Sequence, residues 1–275
     1  MIRMRIDFYA ESLGMGTSMV VLYPQEAAGI GMGGAAQATS VGTTPTPATS
    51  ATPTPTPASP GVPALYLLHG LSDDCTIWER RTAIERYASE AGIAVVMPEV
   101  RRSFYTDEAV GEAYWTFISQ ELPALLARTL RISTAREDTF VAGLSMGGYG
   151  AFKLALNHPE RFAAAASLSG ALDIAALLEG PEREVMAQRI LGGRRLEGSP
   201  DDVMGLLRTV DPQVMPRLFL DCGTEDPLAA MNREAIAIAQ ERGLDLSSRM
   251  RPGNHTWDFW DQGIQDVLAW LPRRA

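Results

Sequence analysis

Thr139-Phe140-Val141-Ala142-Gly143-Leu144-Ser145-Met146-Gly147-Gly148 reads as a β-prone run, a sharp turn and the start of a helix. The helical run continues from Met146 to Asn157 and stops at His158-Pro159, since the residue before a proline is driven out of the helical region. Small glycines on both sides of Ser145 let the backbone turn tightly and let the helix approach the strand, so the hydroxyl stands exposed at the strand's end. The helix N-terminus then directs backbone N–H groups and a positive dipole at an oxygen reacting there. These are the requirements of a nucleophile elbow. The bare Gly-x-Ser-x-Gly pattern also occurs in tight, unreactive turns; the flanking strand and helix favour the elbow.

A serine hydroxyl needs a base near neutral pH, most often histidine, and the chain has 3 histidines. His158 follows the elbow helix, about a dozen residues and roughly 18 Å from the serine at 1.5 Å per residue, and reads as a helix-end residue. His69 ends the apolar run Ala64-Leu65-Tyr66-Leu67-Leu68, upstream of the serine. His255, in Pro252-Gly253-Asn254-His255-Thr256-Trp257 between a strand and the last helix, fits the chain order of nucleophile, acid, base found in α/β-hydrolases. The acid is expected after the strand Arg217–Leu220, where Asp221, Glu225 and Asp226 share one loop. Asp226 is favoured because Pro227 is suited to start the next helix; Glu225 and Asp221 remain alternatives. The oxyanion hole needs two backbone donors. Met146, the residue after the nucleophile, supplies one. Leu71, which follows the turn that Gly70 permits, is assigned the other, with His69 shaping that loop.

The 275 residues suit one α/β domain with a sizeable core, and 46% hydrophobic content is ordinary for a globular chain. A net charge of −9 argues against nucleic acid or an anionic membrane as the main partner. No stretch approaches the roughly 20 apolar residues of a membrane span, and the start, Met1-Ile2-Arg3-Met4-Arg5-Ile6-Asp7, lacks the apolar core of a signal peptide; a cytoplasmic location is the expectation. Cys75 and Cys222 form no disulfide framework and read as buried free thiols. The scattered histidines match no metal-binding pattern, so no metal is expected. A small-molecule ester is the expected partner, and a homo-oligomer is compatible with the sequence.

The chain reads as a single domain, 1–275, interrupted by an insertion at 27–62. From Ala27 to Ser72 there is no Asp, Glu, Lys or Arg, and Thr43 to Pro60 is built of Thr, Pro, Ala and Ser. That composition cannot form a packed core and predicts a disordered loop. An opening strand pair is expected at Arg3–Phe8 and Ser18–Leu22. If Ser18–Leu22 pairs antiparallel with Ala64–Leu68, the insertion lies at the sheet edge opposite Ser145. Further strands are expected at Ile93–Met97, Thr139–Ala142, Ala164–Leu168, Arg217–Leu220 and Leu246–Met250, alternating with helices as in a βαβ series. Apolar stripes mark three of those helices: Ile84, Tyr87, Ala88 and Ala91; Leu228, Met231, Ala235, Ile238 and Ala239; and Trp260, Ile264, Val267, Leu268 and Leu271. Between Ala171 and Met215 the alternation breaks. Short helices are expected there at Asp173–Leu178 and Glu182–Leu191, as a small cap over the site or a peripheral excursion.

Six ordered segments together resemble the esterase D-like family: Tyr66-Leu67-Leu68-His69-Gly70-Leu71, Ser103-Phe104-Tyr105-Thr106-Asp107, Tyr114-Trp115-Thr116-Phe117, Gly143-Leu144-Ser145-Met146-Gly147-Gly148, Cys222-Gly223-Thr224-Glu225-Asp226 and His255-Thr256-Trp257-Asp258-Phe259-Trp260. Within it the chain looks most like the tributyrin esterases and the bacterial acetyl- and feruloyl-esterases. The resemblance spans nearly everything but the Thr/Pro insertion. It implies an α/β-hydrolase fold and a cofactor-free carboxylesterase for short-acyl esters, with Ser145 as nucleophile, Asp226 as acid, His255 as base and the Leu71 and Met146 amides as oxyanion hole. The alternatives are a thioesterase of the S-formylglutathione hydrolase type or an acyltransferase, and, third, a non-catalytic binding protein. The loop His69-Gly70-Leu71-Ser72-Asp73-Asp74 and the Trp257/Trp260 tail depart from the S-formylglutathione hydrolases. Tyr105, Trp115 and Trp257 are candidates either for the pocket lining or for plain core.

Overall fold

The computed structural model describes residues 1–25 and 61–272. Eight strands form one sheet: β1 (Ile2–Ala10), β2 (Met15–Tyr23), β3 (Ala64–Leu68), β4 (Ala94–Pro98), β5 (Thr139–Leu144), β6 (Ala164–Leu168), β7 (Arg217–Gly223) and β8 (Leu246–Arg251), in the spatial order β1-β2-β4-β3-β5-β6-β7-β8. The first two strands form an antiparallel hairpin and β2 runs antiparallel to β4; the remaining pairings are parallel. The alternation of strands and helices is as expected, and the architecture is the α/β-hydrolase fold that the resemblance implied.

The central strands are apolar on both faces because helices cover both. All residues of β3, β4, β5 and β6 are buried. Their period of two divides the core in two. Tyr66, Leu68, Val96 and Val141 face the layer that holds the elbow helix Met146–Asn157, whereas Leu65, Leu67, Val95 and Ala142 face the layer of the helices Ile84–Ala91 and Trp257–Trp270. Two of the three apolar stripes lie as expected. In the helix Ala229–Arg242 the buried line runs through Ala229, Asn232, Ala235, Ile238 and Ala239, with Met231 only half-buried.

One pairing differs from the expectation. β2 does not lie beside β3 but beside β4, with Met19 opposite Pro98 and Leu22 opposite Val95. β3 is held in the interior between β4 and β5. The long connection from β2 to β3 imposes no neighbourhood, and a strand apolar on both faces gains most between two others. The inferred geography survives the correction. Tyr23 and Val62 both bond the Arg131 carbonyl, at the end of the sheet away from Ser145. The disorder expected for 27–62 falls outside the described residues, except for Gly61 and Val62; Val62 forms a parallel bridge to Ile132.

Between Ala171 and Met215 the helices are Ile174–Leu177, Glu184–Leu191 and Val203–Thr209, the last not anticipated. This excursion packs along the elbow helix: the Tyr149 hydroxyl donates to the Asp201 carbonyl at 2.8 Å, and Lys153 pairs with the Asp201 carboxylate. It also clasps the loop after β4, where Arg189 and Arg194 donate to the carbonyls of Arg102 and Asp107. Among the described residues no helix is long and apolar enough to cross a membrane.

Candidate active site

Ser145 occupies the turn between β5 and the elbow helix with φ 53° and ψ −117°, a left-handed conformation for a non-glycine residue. Such a conformation costs on the order of 1–3 kcal/mol and persists only where its surroundings fix it. Here its N–H donates to the Leu168 carbonyl at 2.9 Å, and its carbonyl accepts from Tyr149 and Ala171 at 3.1 and 3.0 Å. The glycines are required by close approach. A Cβ on Gly143 would overlap the Gly147 backbone, and one on Gly147 would overlap the Leu68 carbonyl and lie 2.8 Å from that of His69. The helix therefore starts directly against the end of β3.

The loop after β7 and the loop after β8 meet at this turn. His255 Nε2 lies 3.0 Å from Ser145 Oγ, and His255 Nδ1 lies 2.8 Å from Asp226 Oδ2. The carboxylate fixes the tautomer: Nδ1–H donates to Asp226, leaving Nε2 to accept from the serine hydroxyl. Asp226 Oδ1 accepts from the Leu228 N–H at 2.8 Å. Burial pushes the Asp226 carboxyl up, but hydrogen bonds from His255 and Leu228 together with the His255 charge outweigh it and hold the group below the usual carboxylate range.

The two alternative carboxylates are engaged elsewhere. Asp221, fully buried, takes the guanidinium groups of Arg249 and Arg251, each within 2.8 Å. Glu225 accepts from the Gly253 N–H at 2.6 Å and the Thr224 hydroxyl at 2.7 Å. Both brace the loops that carry Asp226 and His255.

The loop after β3 is built around its carbonyls. That of Leu68 accepts from Trp78 Nε1 at 3.1 Å and that of His69 from the Tyr105 hydroxyl at 2.9 Å. The Gly70 carbonyl accepts from His69 Nδ1 at 2.8 Å and from the Asp73 N–H at 3.3 Å. His69 Nε2 accepts from the Val100 N–H at 3.1 Å, so the buried ring braces this loop, and shaping the loop is the part the sequence reading gave it. The Asp73 carboxylate accepts from the Gly70 N–H at 3.2 Å. With three successive carbonyls held, the chain direction through Leu71 is fixed. Among the described residues no hydrogen bond engages the Leu71 or Met146 amide.

Of the aromatic candidates, Tyr105 is the fully buried clamp just described. Trp115 belongs to the far end of the elbow helix: it stacks on His158 with centroids 5.6 Å apart, and the Lys153 ammonium lies 4.2 Å over its ring. Trp257 stands edge-on to Trp78 and to Trp260, 5.3 Å from each, and Trp260 stands edge-on to His255 at 4.7 Å. An aromatic chain thus joins the loop after β3 to the candidate base. Sequence reasoning missed Asp73, Trp78 and Ser169. Asp73 had a local signal, a carboxylate three residues after a turn glycine; Trp78 and Ser169 had none. Cys75 and Cys222 are buried free thiols, and among the described residues no cluster of potential metal ligands occurs.

The model of a family described as "Putative esterase" matches residues 46–271. An acetyl esterase of Caldicellulosiruptor saccharolyticus is 30% identical over 226 residues, covering 78% of this chain and 85% of the relative. Two Staphylococcus aureus structures share the fold at 28% identity. One is a substrate-bound fluorophosphonate-binding serine hydrolase (TM-score 0.82, 99% of both chains), and the other an S-formylglutathione hydrolase (TM-score 0.76, 98% of both chains).

Proposed function

This chain belongs to the esterase family and is a serine carboxylesterase, and on that premise we propose that Ser145 is its nucleophile, His255 its base and Asp226 the acid that orients the base. The observation that carries the assignment is the continuous relay Ser145 Oγ–His255 Nε2 at 3.0 Å and His255 Nδ1–Asp226 Oδ2 at 2.8 Å, at a strained strand-to-helix turn. The Ser145 hydroxyl attacks the ester carbonyl while its proton passes to His255 Nε2. The resulting oxyanion is held by the Leu71 and Met146 amides. The tetrahedral intermediate collapses, the C–O bond to the alcohol breaks, and His255 returns the proton to the leaving oxygen. Water, deprotonated by His255, then releases the acid from the acyl-serine. Asp226 keeps the imidazole in the required tautomer and stabilises its charged form throughout.

Short acyl groups are the proposed substrates, supported by the acetyl esterase relative. The test is hydrolysis of p-nitrophenyl acetate, butyrate, octanoate and palmitate by the wild type and Ser145→Ala. Turnover concentrated at the short chains and a loss of roughly 10⁴- to 10⁶-fold in kcat for the variant are expected. Undiminished activity in Ser145→Ala overturns the assignment. The likeness to an S-formylglutathione hydrolase supports a second reading, a thioester substrate. Since esters and thioesters pass through similar tetrahedral states, kcat/KM on a matched ester and thioester decides between them.

A further inference from the structure

Strands β5 and β6 end side by side, with Leu144 in register with Leu168, and the next residue on each is a serine in a left-handed conformation: Ser145 at φ 53° and Ser169 at φ 49°. The ladder continues across both turns, since Ser145 N–H donates to the Leu168 carbonyl and Ser169 N–H to the Asp221 carbonyl at 2.8 Å. Ser145 presents its hydroxyl to His255. Ser169 is fully buried, and the triad as proposed above does not use it.

Its surroundings define where its proton points. Trp260 Nε1 lies 3.1 Å from Ser169 Oγ, and an indole nitrogen can only donate. Ser169 therefore accepts from Trp260 and retains its one proton for another partner. Two groups lie near enough for its hydroxyl to favour their charged forms, the Asp226 carboxylate and the Cys222 thiol. A carboxylate is the far stronger acceptor, and burial pushes the Cys222 thiol up to about 12, which keeps it neutral. Trp260 meanwhile stands edge-on to the imidazole of His255, ring planes at 88°. Trp260 thus touches both Ser169 and the His255 ring, and Asp226 meets His255, so a bond from Ser169 to Asp226 would close the circuit.

Building on the reading of Ser145, His255 and Asp226 as the triad, we propose that Ser169 is a positioning residue of this esterase: its hydroxyl, aimed by Trp260 Nε1–H, donates to the Asp226 carboxylate and sets the orientation in which that carboxylate holds His255. Leu228 N–H and His255 reach Asp226 from the loops after β7 and β8; Ser169 supplies the restraint from the sheet itself. Strain is maintained at Ser169 because the turn that aims its hydroxyl is the turn that left-handed backbone produces.

The test compares Ser169→Ala, Trp260→Phe and the double variant in steady-state hydrolysis of p-nitrophenyl butyrate, with Ser145→Ala in the same series. Each single variant is expected to lose about 10- to 100-fold in kcat with KM within about twofold of the wild type. The double variant is expected to lose no more than the worse single, since both remove one relay. The low-field proton resonance of the His255–Asp226 hydrogen bond should shift in both single variants. Wild-type kcat and an unmoved resonance in Ser169→Ala overturn the proposal, as do fully multiplicative losses in the double variant. If Ser145→Ala is inactive while Ser169→Ala behaves as wild type, the triad stands and this inference alone falls; an active Ser145→Ala removes the triad itself. Should Ser169→Ala fail to fold, Trp260→Phe and the donor-retaining Ser169→Cys decide: loss in the first with recovery in the second supports the relay, and wild-type behaviour of Trp260→Phe refutes it.

Discussion

The Tyr105 hydroxyl donates to the His69 carbonyl at 2.9 Å from a fully buried ring, and that ring fills the space beside Gly150 of the elbow helix. One side chain therefore bridges the loop proposed to stabilise the oxyanion and the helix behind the nucleophile. Tyr105→Phe keeps the ring and orphans a buried carbonyl. A stability loss of about 1–3 kcal/mol is expected, with kcat falling more than KM rises, as measured by urea unfolding and steady-state kinetics. An equal effect on substrate affinity and none on kcat would show that the loop geometry does not depend on this bond.

Gly147 gives a second test of that contact. A methyl group there must displace the carbonyls of Leu68 and His69 or lift the helix. Gly147→Ala is expected to cost about 1–3 kcal/mol through overpacking and to lower kcat, because the Met146 amide moves with the helix. A stable, fully active Gly147→Ala enzyme would mean that the approach of helix to β3 is dispensable.

The depressed Asp226 carboxyl makes a prediction about acid stability. A carboxyl held below its ordinary 3.8 in the folded state adds stability that is complete above that value and is lost as pH falls through the folded one. Between pH 5 and pH 2 the urea midpoint of the wild type should therefore drop more steeply than that of Asp226→Asn. Parallel curves would show that the relay does not favour the ionised carboxylate.

Lys153, the chain's one lysine, also adds stability as pH rises, in a higher window and because its charged form is the one disfavoured. Burial pulls its ammonium down to about 8 from the ordinary 10.5, against the pull of Asp201 and Asp107. Between those two values the unfolded chain binds the proton and the folded chain does not, so this residue's contribution to stability rises with pH across that window. The unfolding midpoint of the wild type, referred to Lys153→Met, is expected to climb from pH 8 to pH 10. A flat difference would place the ammonium in contact with solvent.

Ser145 and His255 were legible because their signals are local or ordinal: a glycine-flanked serine between a strand and a helix, and the one histidine that follows both nucleophile and acid loop. The strand positions were equally legible, since central parallel strands are short apolar runs between amphipathic helices. The choice among Asp221, Glu225 and Asp226 was less legible, because three carboxylates within six residues carry nearly the same local signal and only the Pro227 that follows favoured Asp226. Arg249 and Arg251 draw Asp221 beneath the sheet, and the Gly253 N–H draws Glu225 aside. The partner of β2 was illegible for a related reason: nothing within Met15–Tyr23 says whether β3 or β4 will lie beside it.

Periodicity, turn chemistry and chain order by themselves gave an alternating α/β fold, the elbow, and the serine and histidine that the structure brings together, because each depends on residues adjacent in the chain or on their sequence of appearance. Which carboxylate meets the imidazole, the β2–β4 pairing, the clamp of Tyr105 on His69 and the bond from Trp260 to Ser169 were decided only by the tertiary structure. Each joins segments remote in the chain, and a hydrogen bond that spans 36 or 91 positions is selected by how whole layers pack, not by any pattern near either end.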